Sequence, residues 1–490
     1  MSAEKPRPSV SPVLVLFRDD FRLADHPALS GACATGQPVL CAFVHDPETT
    51  RGDAIGWWLA KARTALENAL SEQGGTLHPL SGNTPDSVAA FVKAAGIESV
   101  FWNRRYDPTG KAQDTALKAH LEQQGVSVHS SAARLLHEPW TIRTGAGTPY
   151  RVFTAWWKAA RAMGEPGRCL PAPQHIPFAA LPKAAQALTA HAVPSVPPLP
   201  EGADAAEADW PCTEADAQEV LATFVDDNLA HYIQEHDRPD KDTTSRLSPY
   251  LRAGLLSARQ VWHAVRAAAT TPALAENAEK FLSELGWRDF AWMQLFYEPD
   301  LAWRNLRPEF DHMPWQKSPA LLAAWQQGQT GYPLVDAGMR QLYATGWMHN
   351  RVRMVVASFL TKHLLTDWRE GEQWFQARLV DADPAQNAMN WQWCAGTGID
   401  ASPWFRIFNP VGQSEKFDPT GAYIRTWVPE LRQMPDKLIH TPWKADATLC
   451  RQIGFTPGKS YPNPIVDLKL ARGIALECWK NLPARKESGG

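Results

Sequence analysis

Residues 330–354 read TGYPLVDAGMRQLYATGWMHNRVRM, and residues 381–410 read DADPAQNAMNWQWCAGTGIDASPWFRIFNP. With DWREGEQWF (367–375) between them, they crowd Trp347, Trp368, Trp374, Trp391, Trp393 and Trp404 among Asn350, Arg351, Arg353, Asp381, Asp383 and Asn387. A structural core rarely needs that mixture. Tryptophan has one N–H that wants a partner when buried, and its ring is easily oxidised, so grouped tryptophans beside paired polar groups point to stacking or electron transfer. Any one of them, taken alone, is more often a packing residue.

Outward from this stretch the pattern is helical. Apolar periodicity recurs at 216–231, 257–269, 275–298, 334–345 and 351–365, and strand signals almost vanish beyond Thr213, which predicts an all-α C-terminal domain over 213–482. On a helix through 347–360, Asn350, Arg353 and Met354 share one face, as do Glu284, Trp287 and Arg288 on the helix before it. Towards the N-terminus the period changes. Short apolar runs at 13–17, 38–44 and 99–102 alternate with helical patterns at 56–73 and 86–95, the signature of an α/β domain with a Rossmann-like parallel sheet over 10–140. Residues 141–212 read as an interdomain linker, with the Pro- and Ala-rich part from Ala172 to Pro211 an extended connector. The first ten residues read as a loose tail.

Composition narrows the class. A chain of 490 residues with 44% apolar content supports two or three cores. At a formal charge of -3 any nucleic-acid contact must come from a local basic patch. The seven cysteines form no CxxC pair, which argues against a disulfide framework or a metal site and for a reducing, cytoplasmic setting. No signal peptide or membrane span is expected.

The segment DTTSRLS (242–248) places Thr243, Thr244, Ser245 and Ser248 with Arg246 and Leu247 just before an amphipathic helix. Hydroxyls and a helix N-terminus suit a diphosphate, although in isolation such a cluster is usually a cap.

These segments, with LFRDDFRLADHPAL (16–29), TTSRLSPYLRAGLLS (243–257) and ELGWRDF (284–290) in the same order, closely resemble the photolyase and cryptochrome family. The resemblance implies FAD in the helical domain, held by Tyr232, Thr244, Ser245, Arg246, Leu247, Ser248, Arg288, Arg353, Asp381 and Asp383, with Asn387 facing flavin N5. It implies repair of cyclobutane pyrimidine dimers in UV-damaged DNA. Glu284 would hydrogen-bond or protonate the dimer carbonyl, Trp287 and Trp393 would sandwich the lesion, and Asn350, Arg351 and Met354 would stand close by. Asn350 occupies a place where (6-4) photolyases resemble one another in histidine, which favours the cyclobutane dimer. Trp391, Trp368 and Trp315 match the family's electron-transfer chain. Arg351, with Arg340, Lys362 and Arg406, is a candidate for the phosphate-binding patch. The stretch RGDAIGWWLAKARTALENAL (51–70) is similar to class III photolyases, which implies a 5,10-methenyltetrahydrofolate antenna beside Trp57 or Trp58; an 8-hydroxy-deazaflavin, or no antenna, stays open. The protein is expected to act as a monomer. The alternative is a cryptochrome-type photoreceptor signalling through a protein partner, against which Asn387 and the pair Glu284 with Trp287 weigh.

Overall fold

The computed structural model describes residues 11–48, 53–189, 196–400 and 405–483. The expected tail and Trp404 lie outside them. Five strands, β1 (Val13–Phe17), β2 (Val39–His45), β3 (Leu77–Ser81), β4 (Ser99–Asn103) and β5 (Ser127–Ser131), form a parallel sheet of order β3-β2-β1-β4-β5. The central strand β1 is VLVLF, buried at every position, as a strand covered on both faces must be. Among the described residues no strand follows β5, and the rest of the chain is helical. The helices of the two halves include α1 (Asp53–Glu72), α2 (Phe153–Ala162), α3 (Pro272–Tyr297), α4 (Asn350–Ser358), α5 (Trp368–Arg378) and α6 (Pro384–Ala395).

The expected linker range, 141–212, includes α2, and the described parts of the stretch expected to be extended, 172–211, are packed: Phe178 returns to bridge Val39 beside the sheet, and Lys183–Gln186 and Ala206–Asp209 are short helices. Trp210 is 1% exposed and its indole donates to the Thr345 carbonyl. Apolar side chains spaced along a Pro-rich segment gain more from burial than the segment loses in ordering.

The two halves are joined by buried polar contacts. The Asp25 carboxylate accepts from Ser257 Oγ at 2.5 Å and from the Arg259 guanidinium at 2.8 and 3.0 Å. Arg22 donates to the carbonyls of Gly254 and Asp25, each at 2.9 Å. Gly254 has φ +70 and a Cβ there would lie 2.5 Å from the Asp19 carbonyl oxygen, so only glycine permits this approach. Trp58 is fully buried, donates to the Pro249 carbonyl at 2.8 Å and meets Tyr250 edge-on. Its ring therefore belongs to the domain joint and is not free to stack on an antenna. Trp57 is 4% exposed, with the Lys61 ammonium 4.6 Å from its ring centre.

Candidate functional site

The helical domain encloses a cavity of about 460 Å³ whose wall includes Glu284, Trp287, Asn350, Met354, Asn387 and Trp393. These residues come from α3, α4 and α6, three helices that meet around the space. Its volume falls within the range of cofactor sites. Ser245, Leu247, Ser248, Arg288, Arg353, Asp381, Asp383 and Trp391 also reach the wall. The residues that spacing places on one face of α3 (Glu284, Trp287, Arg288) and of α4 (Asn350, Arg353, Met354) all reach this wall. Helix α4 begins at Asn350 rather than 347, because His349 caps it: its Nδ1 accepts from the Arg351 N–H at 3.2 Å. Burial lowers that imidazole to about 4, so it is neutral.

One side of the cavity is ionic. Arg353 pairs with Asp381 at 2.9 Å, and Ser248 Oγ donates to the same carboxylate at 2.6 Å. Asp383 caps α6 by accepting from the Ala385 and Gln386 N–H groups through Oδ1, while Oδ2 accepts from Trp292 at 3.1 Å. The Asn387 amide donates from Nδ2 to both the Glu372 carbonyl and the Glu372 carboxyl, each at 2.9 Å. A main-chain carbonyl can only accept, so this contact fixes the amide with Oδ1 as its unused acceptor. Glu372 went unrecognised in the sequence, where it is one charged helical residue among many. Burial pushes its carboxyl up to about 7, against the opposing effect of the Asn387 hydrogen bond.

The opposite side is aromatic. Trp287 and Trp393 are half-buried, and Glu284 beside them is ion-paired with Lys280 one turn earlier, a partner not foreseen from sequence. Trp391 and Trp368 are buried and Trp315 is half-buried. Gly371 on α5 admits the Trp391 ring, since a Cβ there would lie 2.1 Å from Trp391 Cη2. Trp368 donates to Asn305 at 2.9 Å. Trp325, also missed, meets Trp391 edge-on at 6.2 Å.

Several expected residues stand back from the wall. Tyr232 lies behind Phe281, edge-on at 5.3 Å. Thr244 is half-buried beside Ser245. Arg246 takes φ +49 and lies 4.6 Å over the Trp210 ring. Arg351 is ion-paired with Asp237 at 2.5 Å and lies over Phe417, so its charge is already matched. Arg340 is held by Glu430. The expectation for Lys362 is overturned: its side chain is fully buried with Nζ 3.5 Å from the Phe405 ring centre, where no phosphate can reach it. Arg406 is exposed.

The residues fit FAD. Thr243 Oγ1 and Arg246 Nε are buried without a protein partner, which is what a diphosphate segment awaiting its anion should show. Asn387 Oδ1 is an acceptor for a ring N–H, and the apolar wall suits an isoalloxazine.

Comparison with known proteins gives the same picture. The family described as FAD binding domain of DNA photolyase matches residues 281–481, and that described as DNA photolyase matches residues 13–177. The chain is 43% identical to the deoxyribodipyrimidine photo-lyase of Agrobacterium fabrum over 96% of its own length and 98% of that protein's. It is 36% identical to Cryptochrome-1 of Arabidopsis thaliana, of which it covers 70%. A bacterial class III photolyase from Agrobacterium tumefaciens superposes with a TM-score of 0.91 at 42% identity, covering 98% of this chain and 99% of that one.

Proposed function

This chain belongs to the photolyase and cryptochrome family and binds FAD, and we propose that it is a deoxyribodipyrimidine photo-lyase repairing cyclobutane pyrimidine dimers in DNA under blue light. The observation that carries the reading is the cavity wall on which Glu284, Trp287, Asn350, Met354 and Trp393 converge beside Asn387 and the Arg353–Asp381 pair. Reduced FAD, when bound and excited, supplies the electron that opens the dimer and takes it back afterwards.

The protein's contribution is positioning and electrostatics. Trp287 and Trp393 offer flat apolar faces on which an extruded pair of bases stacks. Glu284 stands within the same wall; once it exchanges its Lys280 ion pair for a proton, its carboxyl donates to a pyrimidine carbonyl as negative charge develops there, and Asn350 adds an amide donor. Ser245, Leu247 and Ser248, with Thr244 and Arg246 behind them, hold the diphosphate. Arg288, Arg353, Asp381 and Asp383 hold the ring's polar edge, with Tyr232 backing Phe281. Asn387, its amide held by Glu372 with Oδ1 free, would offer that oxygen as an acceptor to the flavin ring. Trp391 and Trp368, both buried, and Trp315, half-buried, would form the path by which oxidised FAD is photoreduced. Arg351, already paired with Asp237, joins the DNA interface only by exchanging that partner for a phosphate, and Arg406 is the freer cation.

For the antenna, the resemblance of residues 51–70 to class III photolyases favours 5,10-methenyltetrahydrofolate; Trp57, 4% exposed beneath Lys61, becomes its contact on α1 only when Lys61 moves aside, and Trp58 belongs to the domain joint. The absorption spectrum of the extracted chromophore distinguishes it from 8-hydroxy-deazaflavin or none.

The test is loss of dimers from thymine-containing DNA by reduced protein under blue light, against a dark control. Light-dependent loss that disappears in Glu284→Ala or Trp287→Ala supports the assignment. Flavin photochemistry without dimer loss overturns it in favour of a photoreceptor.

A further inference from the structure

Trp287 is one layer of a stack that runs into the segment expected to be a linker. Phe153, at the start of α2, lies face to face with Trp287, with ring centres 3.6 Å apart and planes 13° apart. One turn along α2, Trp157 lies nearly parallel to Phe153, at 6.2 Å and 12°. Gly286 makes room for it: a Cβ on that residue would lie 2.4 Å from Trp157 Cε3. The Phe153 N–H donates to Asp400 Oδ2 at 2.8 Å, which pins the start of α2 to the chain just beyond α6. Phe290 closes against Trp287 edge-on at 5.9 Å.

An indole has two faces. Phe153 covers one of them, and Trp287 presents the remainder of its ring to the cavity. We infer that Phe153 is a positioning residue for lesion recognition, which presets the plane of Trp287 before a dimer arrives; this rests on the repair reading above. A platform already ordered in the free protein loses less rotamer freedom on binding, so the stacking energy appears as affinity. Phe153 itself is not part of the cavity wall.

The flavin-loaded protein with Phe153→Met tests the inference, since methionine keeps the volume and apolarity of the site but removes the flat ring. The readouts are affinity for a dimer-containing oligonucleotide, affinity for the undamaged oligonucleotide, and repair rate at saturating DNA. We expect dimer binding to weaken about tenfold with undamaged binding and the saturated rate near those of the parent, and Phe153→Tyr to restore dimer binding. Trp157→Met, which removes an aromatic neighbour of Phe153 and leaves Phe153 in place, should give a smaller loss of the same selectivity. Unchanged dimer affinity in both methionine variants, equal weakening towards both DNAs, or failure of tyrosine to rescue would each overturn the inference. A parent protein that does not itself prefer dimer-containing DNA would instead overturn the repair reading, and the inference with it.

Discussion

Glu372→Gln should make flavin-free protein more stable, and by an amount that grows with pH. The carboxyl is 8% exposed, and burial moves it from an ordinary 4.5 to about 7. Between those values the folded state keeps a proton that the unfolded chain has released. The contribution of this group to stability is therefore complete below the unfolded value and is lost as pH rises through the folded one. At 1.36 kcal/mol for each tenfold change, the full loss is about 3 kcal/mol. Glutamine keeps the shape and the acceptor for Asn387 Nδ2 but has no proton to lose, so the gap between variant and parent should open from about 1 kcal/mol near pH 5 to about 3 kcal/mol near pH 8. Urea unfolding followed by far-ultraviolet circular dichroism across that range reads the gap directly. A gap that stays flat with pH would refute the reasoning, because it would mean that Glu372 is already ionised in the folded protein at pH 5.

Three further outcomes are expected from the same geometry. Trp391→Phe should abolish photoreduction of oxidised FAD, seen as persistence of the flavin band near 450 nm under illumination, while repair by chemically reduced protein survives; normal photoreduction would remove Trp391 from the path. Arg353→Met strands the Asp381 carboxylate with Ser248 as its remaining side-chain partner, and should cost about 3 kcal/mol of stability and release flavin on gel filtration; a variant that retains both would show the pair to be dispensable. Burial lowers the Lys362 ammonium to about 7, so the folded state resists the charged form: stability rises with pH from the folded to the unfolded value, and the penalty is complete below about 7. Lys362→Met should therefore raise Tm most at neutral pH or below, with the gain shrinking towards pH 10.

The legible parts of the sequence divide from the rest along physical lines. The run VLVLF declares β1 because a central parallel strand is apolar throughout. Strands β3, LHPLS, and β5, SVHSS, were not read as strands. They are the two edges of the sheet, where a proline and polar side chains are tolerated and the apolar signal fades. Faces of single helices were readable from spacing, which is why Glu284 with Trp287 and Asn350 with Met354 came out together. Contacts between distant segments carry no local mark. Nothing near Phe153 announces that its ring covers Trp287, 134 positions later by residue number, and nothing in WREGEQWF distinguishes Glu372 from its exposed neighbour Gln373.

The joint between the sheet and the helices ties substitutions together across the chain. Asp25 and Arg259 are 234 positions apart, and Asp25 and Ser257 232, yet the carboxylate has no exposure to water. Loss of the Arg259 cation leaves the Asp25 charge stranded in the interior with only hydrogen-bond donors, so a neutral change at one of these two positions must wait for its counterpart more than two hundred residues away. The sheet half and the flavin-holding half are thus bound to diverge as one lineage, and exchanging either for that of a distant relative would break this seam.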